Sequence, residues 1–292
     1  MEVFKVDLYE YFNIQKDEGK RGILTCYLKE RSFDDSTIVH YYPAMLVVAG
    51  GAYCNVSKRE AEPVALKYLS KGYNAFTLNY SVDPNRFPTS LIEICMAMVY
   101  IRMNAKKLGV NKESVGAIGF SAGGHLVGTL ATMYNHKAVE FLKVYNEEIK
   151  PNAVVFGYPV ISGVDKGHEY SFMCLLGDRF EELKEEFSID KRVNKDTPPA
   201  FIFSTFDDNC VPCKNSLLLA MAYENSGVPF ALHVFGKGTH GLSVGDKTVY
   251  NDEPYYESLK IEETTSKDFT TWFDMSINFL EERGFKRIEE KI

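Results

Sequence analysis

Six apolar runs of strand length, at 44–49, 74–80, 114–120, 153–157, 200–205 and 230–235, divide most of the chain into intervals long enough for a helix. The runs are nearly continuous in apolar character rather than alternating. Strands covered on both faces have that pattern, and such strands are parallel ones joined by helical crossovers. The intervals agree: 59–71, 88–108, 122–134 and 215–226 are of helical length. The second carries Leu91, Cys95, Met98, Val99 and Arg102 at helical spacing and stops at Gly109, a residue suited to the left-handed turn that ends a helix. A last amphipathic segment, 267–283, gathers Phe269, Trp272, Phe273, Ser276, Phe279 and Leu280 for core packing.

Only about 40 residues precede the first run, enough for a small antiparallel edge that includes 23–28 and too few for a domain of their own. There is no internal repeat, low-complexity tract or Pro- or Ser-rich linker. The 292 residues therefore read as one α/β domain, 1–292, in which two less regular stretches, 160–196 and 242–266, are insertions at strand ends that shape a site.

Charge narrows the partners. Lys plus Arg number 33 and Asp plus Glu 40, a net −7 that repels a polyanion and supplies no basic stripe, so neither nucleic acid nor a membrane is an expected partner. The apolar stretch 44–48 is far short of the roughly 20 residues of a membrane span. Met1 to Asp7 place acids where a signal peptide needs a basic and then an apolar region, so a cytoplasmic protein is expected. Cys26, Cys54, Cys95, Cys174, Cys210 and Cys213 are spread along the chain and are expected as reduced thiols. The oligomeric state is open, a homo-oligomer included.

The chemistry is carried by Gly119-Phe120-Ser121-Ala122-Gly123, a G-x-S-x-G between a strand-like run and a helix-like one, the setting of a nucleophile elbow. Ser121 needs a base, which in this arrangement follows the acid in chain order. His40, His125, His136 and His168 precede any plausible acid, and His125, four residues past Ser121, reads as a packing residue on the elbow helix. Of the two that remain, His233 lies inside the run 230–235, whereas His240 follows Gly236-Lys237-Gly238-Thr239 on a loop at a strand end, and is the candidate. The acid should follow the run 200–205, where Asp207 and Asp208 stand side by side. Consecutive side chains point apart, so one faces the histidine and the other caps a turn, and residue physics leaves the choice open. Oxyanion donors are expected from Ala122, after the nucleophile, and from Gly51 and Ala52 in Ala49-Gly50-Gly51-Ala52-Tyr53. No histidines and acids cluster at metal-ligand spacing and no Walker or Rossmann glycine pattern occurs, so neither metal nor cofactor is expected. Cys210-Val211-Pro212-Cys213 lacks the surroundings of a redox pair.

These segments resemble the α/β-hydrolase esterases related to acetyl xylan esterases and other short-chain acyl hydrolases, over about 42–272. Ala49 to Tyr53 is similar to that group's P-G-G-G-Y loop, with Ala49 and Ala52 as departures. Arg59-Glu60-Ala61-Glu62-Pro63-Val64-Ala65 and Gly119 to Leu126 resemble its next two signatures, and Gly238-Thr239-His240-Gly241 its G-G-H-G. The likeness of Asp208-Asn209-Cys210-Val211-Pro212 to its D-x-x-V-P segment implies Asp208 as the acid. The resemblance implies an α/β-hydrolase fold, a mostly parallel sheet flanked by helices on both faces. It further implies a triad of Ser121, Asp208 and His240 that hydrolyses a short acyl ester, acetyl foremost, of a small-molecule alcohol or an oligosaccharide. Two other readings stand beside it. One is an amidase, formamidase or peptidase-like serine hydrolase, and the lack of an N-terminal propeller counts against the prolyl-oligopeptidase type. The other is an inactive binding protein, which a complete triad disfavours.

Overall fold

The computed structural model describes residues 1–30, 37–145, 149–165, 167–246, 249 and 261–291. The strands β1 (Glu2–Asp7), β2 (Ile23–Leu28), β3 (Ile38–Val48), β4 (Asn74–Asn79), β5 (Val110–Phe120), β6 (Ala153–Gly157), β7 (Ala200–Thr205) and β8 (Phe230–Phe235) lie in the order β1-β2-β4-β3-β5-β6-β7-β8. From β4 to β8 every pairing is parallel, as the apolar runs predict, and β1 and β2 form the antiparallel edge. A further strand, β9 (Ile288–Lys291), pairs antiparallel with the first residues of β3.

Among the described residues, six α-helices of eight residues or more flank the sheet: α1 (Glu62–Ser70), α2 (Thr89–Met103), α3 (Ser121–Met133), α4 (Glu169–Leu176), α5 (Lys214–Asn225) and α6 (Trp272–Glu282). Side chains of a strand alternate between faces, and β3 divides accordingly: Ala44, Leu46 and Val48 join α2 to α5 in one core layer, while Met45 and Val47 join α1 and α6 in the other. Trp272 anchors the second layer, fully buried and stacked on Phe203 with ring centroids 4.3 Å apart. Beyond α2 a further turn, Ala105–Leu108, closes on Gly109 at φ 65°, the left-handed stop expected there.

Three features depart from the sequence reading. β3 and β5 begin at Ile38 and Val110, earlier than 44 and 114, because their first residues include polar ones such as His40, Asn111 and Glu113 that break the apolar run. β1 and β9 went unseen for a related reason: an edge strand has little to bury, and β9 is exposed along its length. The stretch 160–196 holds α4, a helical turn at Phe180–Leu183 and three-residue 3-10 turns, and so is more regular than expected. Of the other expected insertion, 242–266, residues 247–248 and 250–260 lie outside the described residues.

The strand order decides where a ligand can sit. β3 is followed in sequence by β4 on one side of it and by β5 on the other, so the connections leave β3 and β5 in opposite directions. Such a switch point opens a crevice at the carboxyl ends of the strands. The Gly50–Gly51 segment emerges from β3 at that crevice and Ser121 from β5.

Candidate active site

The turn from β5 into α3 is tight enough to force Ser121 to φ 52°, a left-handed conformation that costs a non-glycine residue about 1 kcal/mol. The two flanking glycines are steric necessities. A methyl group on Gly119 would run into the Gly123 carbonyl, and one on Gly123 into the Val48 and Ala49 carbonyls at the end of β3. Ser121 is thereby held as the first residue of α3, 7% exposed, with its Oγ on the wall of a cavity of about 490 Å³.

His240 reaches that Oγ. Its Nε2 lies 2.8 Å from Ser121 Oγ, and its Nδ1 lies 2.7 Å from Asp208 Oδ2. An ionised carboxylate only accepts, so Nδ1–H donates to Asp208 and the lone pair of Nε2 is left for the serine hydroxyl. The Asp208 side chain is fully buried, and its other oxygen accepts the Cys210 and Val211 N–H groups, each at 2.9 Å. Backbone thus fixes the carboxylate so that one oxygen faces the imidazole. Asp207 points away, as consecutive side chains must, but does not cap its own turn: Oδ1 accepts the Gly238 N–H at 2.7 Å, while Thr205 Oγ1 donates to the Gly238 carbonyl. Gly238, two residues before His240, is thus held at both its N–H and its carbonyl.

Gly51 (φ 128°) and Ala52 (φ 55°) line the same cavity, and neither N–H has a protein acceptor among the described residues. Ala122 follows Ser121 in the first turn of α3, where backbone N–H groups have no intrahelical partner. Three donors are therefore available around Ser121, and Ala52 shows that the loop tolerates a methyl group in place of a third glycine.

Four side chains of this region were not singled out from the sequence. Glu60 is buried and accepts the Gly50 N–H at 2.8 Å through Oε2 and the Tyr158 hydroxyl at 2.8 Å through Oε1. Burial pushes the Tyr158 phenol well above its ordinary pKa, so it remains a donor, and its oxygen accepts the Ser243 N–H at 2.8 Å. The glycine loop and the histidine loop are joined through this pair. Arg59 adds a second tie, Nε donating to the Gly241 carbonyl at 2.9 Å. The segment around Glu60 stood out by likeness, yet nothing in its spacing gave the glutamate a role. The fourth is His168, which chain order excludes as the base and which forms part of the cavity wall.

The other histidines lie where the sequence puts them or away from the site. His125 is buried in α3 between the Tyr53 hydroxyl (2.9 Å) and the Phe187 carbonyl (2.8 Å), and burial lowers its pKa to about 4. His233 lies in β8, stacked on Phe201. The cysteines are free thiols; Cys210 is exposed beside the cavity. Among the described residues no group of three or more His, Cys, Asp or Glu side chains could hold a metal ion, and no helix is long and apolar enough to cross a membrane.

Several known proteins are similar to this chain over most of its length. Endo-1,4-beta-xylanase B of Butyrivibrio fibrisolvens is 36% identical over 214 residues, 72% of this chain and 33% of that protein. Acetylxylan esterase of Xylanibacter ruminicola is 29% identical over 244 residues, 81% of this chain and 47% of that one. The chain thus spans a third to a half of the length of these curated relatives. Among solved structures, the acetyl ester-xyloside bifunctional hydrolase from Caldicellulosiruptor lactoaceticus superposes with a TM-score of 0.73 at 33% identity, over 90% of this chain and 89% of that one. A family model, BD-FAE, matches residues 34–223. That match takes in β3 to β7 and most of α5, the stretch that builds the glycine loop, the serine elbow and the Asp208 turn, and the chain accordingly belongs to the BD-FAE family of α/β hydrolases.

Proposed function

We propose that the protein is a serine esterase that hydrolyses short-chain acyl esters, acetyl foremost, of a carbohydrate or small alcohol. The observation that carries the mechanism is the position of one imidazole, 2.8 Å from a serine hydroxyl and 2.7 Å from a buried carboxylate. Ser121 Oγ attacks the ester carbonyl as its proton passes to His240 Nε2, and Asp208 stabilises the imidazolium without taking the proton. The carbonyl oxygen, now negative, is met by the Gly51, Ala52 and Ala122 N–H groups. Donors of this kind, held in place before the reaction, are worth about 10²- to 10³-fold each. His240 returns the proton to the leaving oxygen, the alcohol departs, and a water activated by the same imidazole releases the acid from acyl-Ser121. A cavity of about 490 Å³ is within the range of small-molecule sites. The names of the relatives, an acetylxylan esterase, a xylanase and an acetyl ester-xyloside hydrolase, support a sugar ester over a lipid one.

Labelling by a fluorophosphonate that is abolished in Ser121→Ala tests the nucleophile. A series of p-nitrophenyl esters from acetate to octanoate, beside acetylated xylan and acetylated xylose, tests the acyl and alcohol parts. Labelling that persists in Ser121→Ala, or activity that rises with chain length, overturns the corresponding half of the proposal.

A further inference from the structure

His168 stands at the N-cap of α4, in the segment that follows β6, and shares the cavity wall with Ser121 and His240. Its Nδ1 lies 2.8 Å from Ser171 Oγ, and the ring of Tyr170 meets it edge-on with centroids 6.3 Å apart, so the imidazole plane is set from two sides. Nε2 has no protein partner among the described residues, and it is not sealed from solvent. His125, packed inside α3, engages both of its nitrogens, one with the Tyr53 hydroxyl and one with the Phe187 carbonyl. His168 presents one of its two to the cavity.

The direction of the reaction fixes what would meet it there. His240 returns its proton to the leaving oxygen, so the alcohol part of the ester must lie on the His240 side of Ser121. His168 lines the same cavity as His240; burial first, and then the charge of a protonated His240, hold its pKa below the ordinary histidine value, which keeps its ring neutral. A neutral ring nitrogen either donates or accepts according to its tautomer, whereas a hydroxyl does both, so a hydroxyl is bound whichever tautomer is present.

We propose that His168 is a specificity residue for the alcohol part of the ester, its Nε2 binding a hydroxyl adjacent to the ester oxygen, so that the site favours monoesters of vicinal diols, sugar rings among them, over esters of simple alcohols. The inference rests on the serine-esterase reading above and adds to it the side chain that distinguishes the leaving group.

The test compares two acetates that differ by that hydroxyl, the monoacetate of trans-1,2-cyclohexanediol and cyclohexyl acetate. The wild-type protein is expected to favour the diol ester in kcat/KM by roughly three- to tenfold, the worth of one neutral hydrogen bond. The difference should reside in KM, because the hydroxyl is held alike in ground and transition states. His168→Phe keeps most of the ring volume without the nitrogens and should bring the ratio close to one. His168→Ala serves the same purpose if the phenylalanine variant does not fold. His168→Gln, whose amide reaches about as far as Nε2, should recover part of the preference. A ratio unchanged from wild type, equal losses on both esters, or a wild-type protein indifferent to the hydroxyl overturns the inference. Failure of the underlying reading is separate: it would appear as undiminished hydrolysis of cyclohexyl acetate by Ser121→Ala.

Discussion

Asp207 holds the Gly238 N–H at 2.7 Å, the same distance at which its neighbour Asp208 faces His240 Nδ1, so two adjacent carboxylates grip one histidine loop, one through its backbone and the other through the ring. Their amides should therefore behave differently. Asp208→Asn replaces a pure acceptor with a group that can present N–H to the imidazole and favour the wrong tautomer, and a loss on the order of 10⁴ in kcat is expected. Asp207→Asn retains an oxygen for the Gly238 N–H and should stay within about tenfold of wild type. Turnover of p-nitrophenyl acetate by the two purified variants, with matched melting temperatures, decides between them; the opposite ranking would show that the roles are exchanged.

Ser121 combines a chemical role with a strained backbone, and substitution separates the two. Ser121→Ala keeps the strain and should lower kcat by roughly 10⁴ to 10⁶. Ser121→Gly should be equally inactive but more stable than Ser121→Ala by about 1 kcal/mol, because φ 52° costs glycine little. Urea denaturation of both variants measures the difference, and equal stabilities would mean that the elbow relaxes in the absence of the hydroxyl.

Glu60 receives two donors, the Gly50 N–H and the Tyr158 hydroxyl, at a buried position. Glu60→Gln presents one acceptor oxygen and one NH₂ group to that pair, leaving a donor facing a donor, and should cost about 1–3 kcal/mol of stability. Because one of the two loops linked by this carboxylate carries Gly51 and Ala52 and the other His240, kcat should fall as well. A variant as active and as stable as wild type would show that the link is dispensable.

His125 makes stability depend on pH. Its imidazole takes up a proton at about 4 in the folded chain, against about 6.5 when solvated, because burial disfavours the cation. Between those values the unfolded chain binds more protons, so stability is fully present above about 6.5 and is lost as pH falls towards 4, by about 3 kcal/mol in all. Unfolding free energies of wild type and His125→Gln across pH 4 to 7 test this; identical slopes would assign the acid sensitivity elsewhere.

What the sequence disclosed of this architecture follows from what had to be buried. β4, β6, β7 and β8 were legible because strands covered on both faces have nearly continuous apolar runs, and Ser121 and His240 because glycines punctuate the turns that carry them. Asp207 and Asp208 could not be separated by residue physics, since the deciding contacts, to Gly238 and to His240, come from a loop some 30 residues away in sequence. Glu60 and Tyr158 share that difficulty, being held by each other and by Ser243 across long stretches of chain, and His168 joins the cavity wall only once the segment after β6 has folded over it. The edge strands β1 and β9 escaped for the opposite reason, having little core to face and hence little apolar signal.

β6 lies between β5 and β7 in the sheet yet sends none of the proposed catalytic side chains to the crevice; its carboxyl end opens instead into the segment that carries His168 and α4. On the proposed role of His168, reactivity and selectivity are drawn from different strands. Changes confined to the part of that segment that carries His168 would leave Ser121, Asp208 and His240 in place, whereas Tyr158 and Val160, nearer β6, must be kept because they tie Glu60 to Ser243 and hold the Ser121 carbonyl.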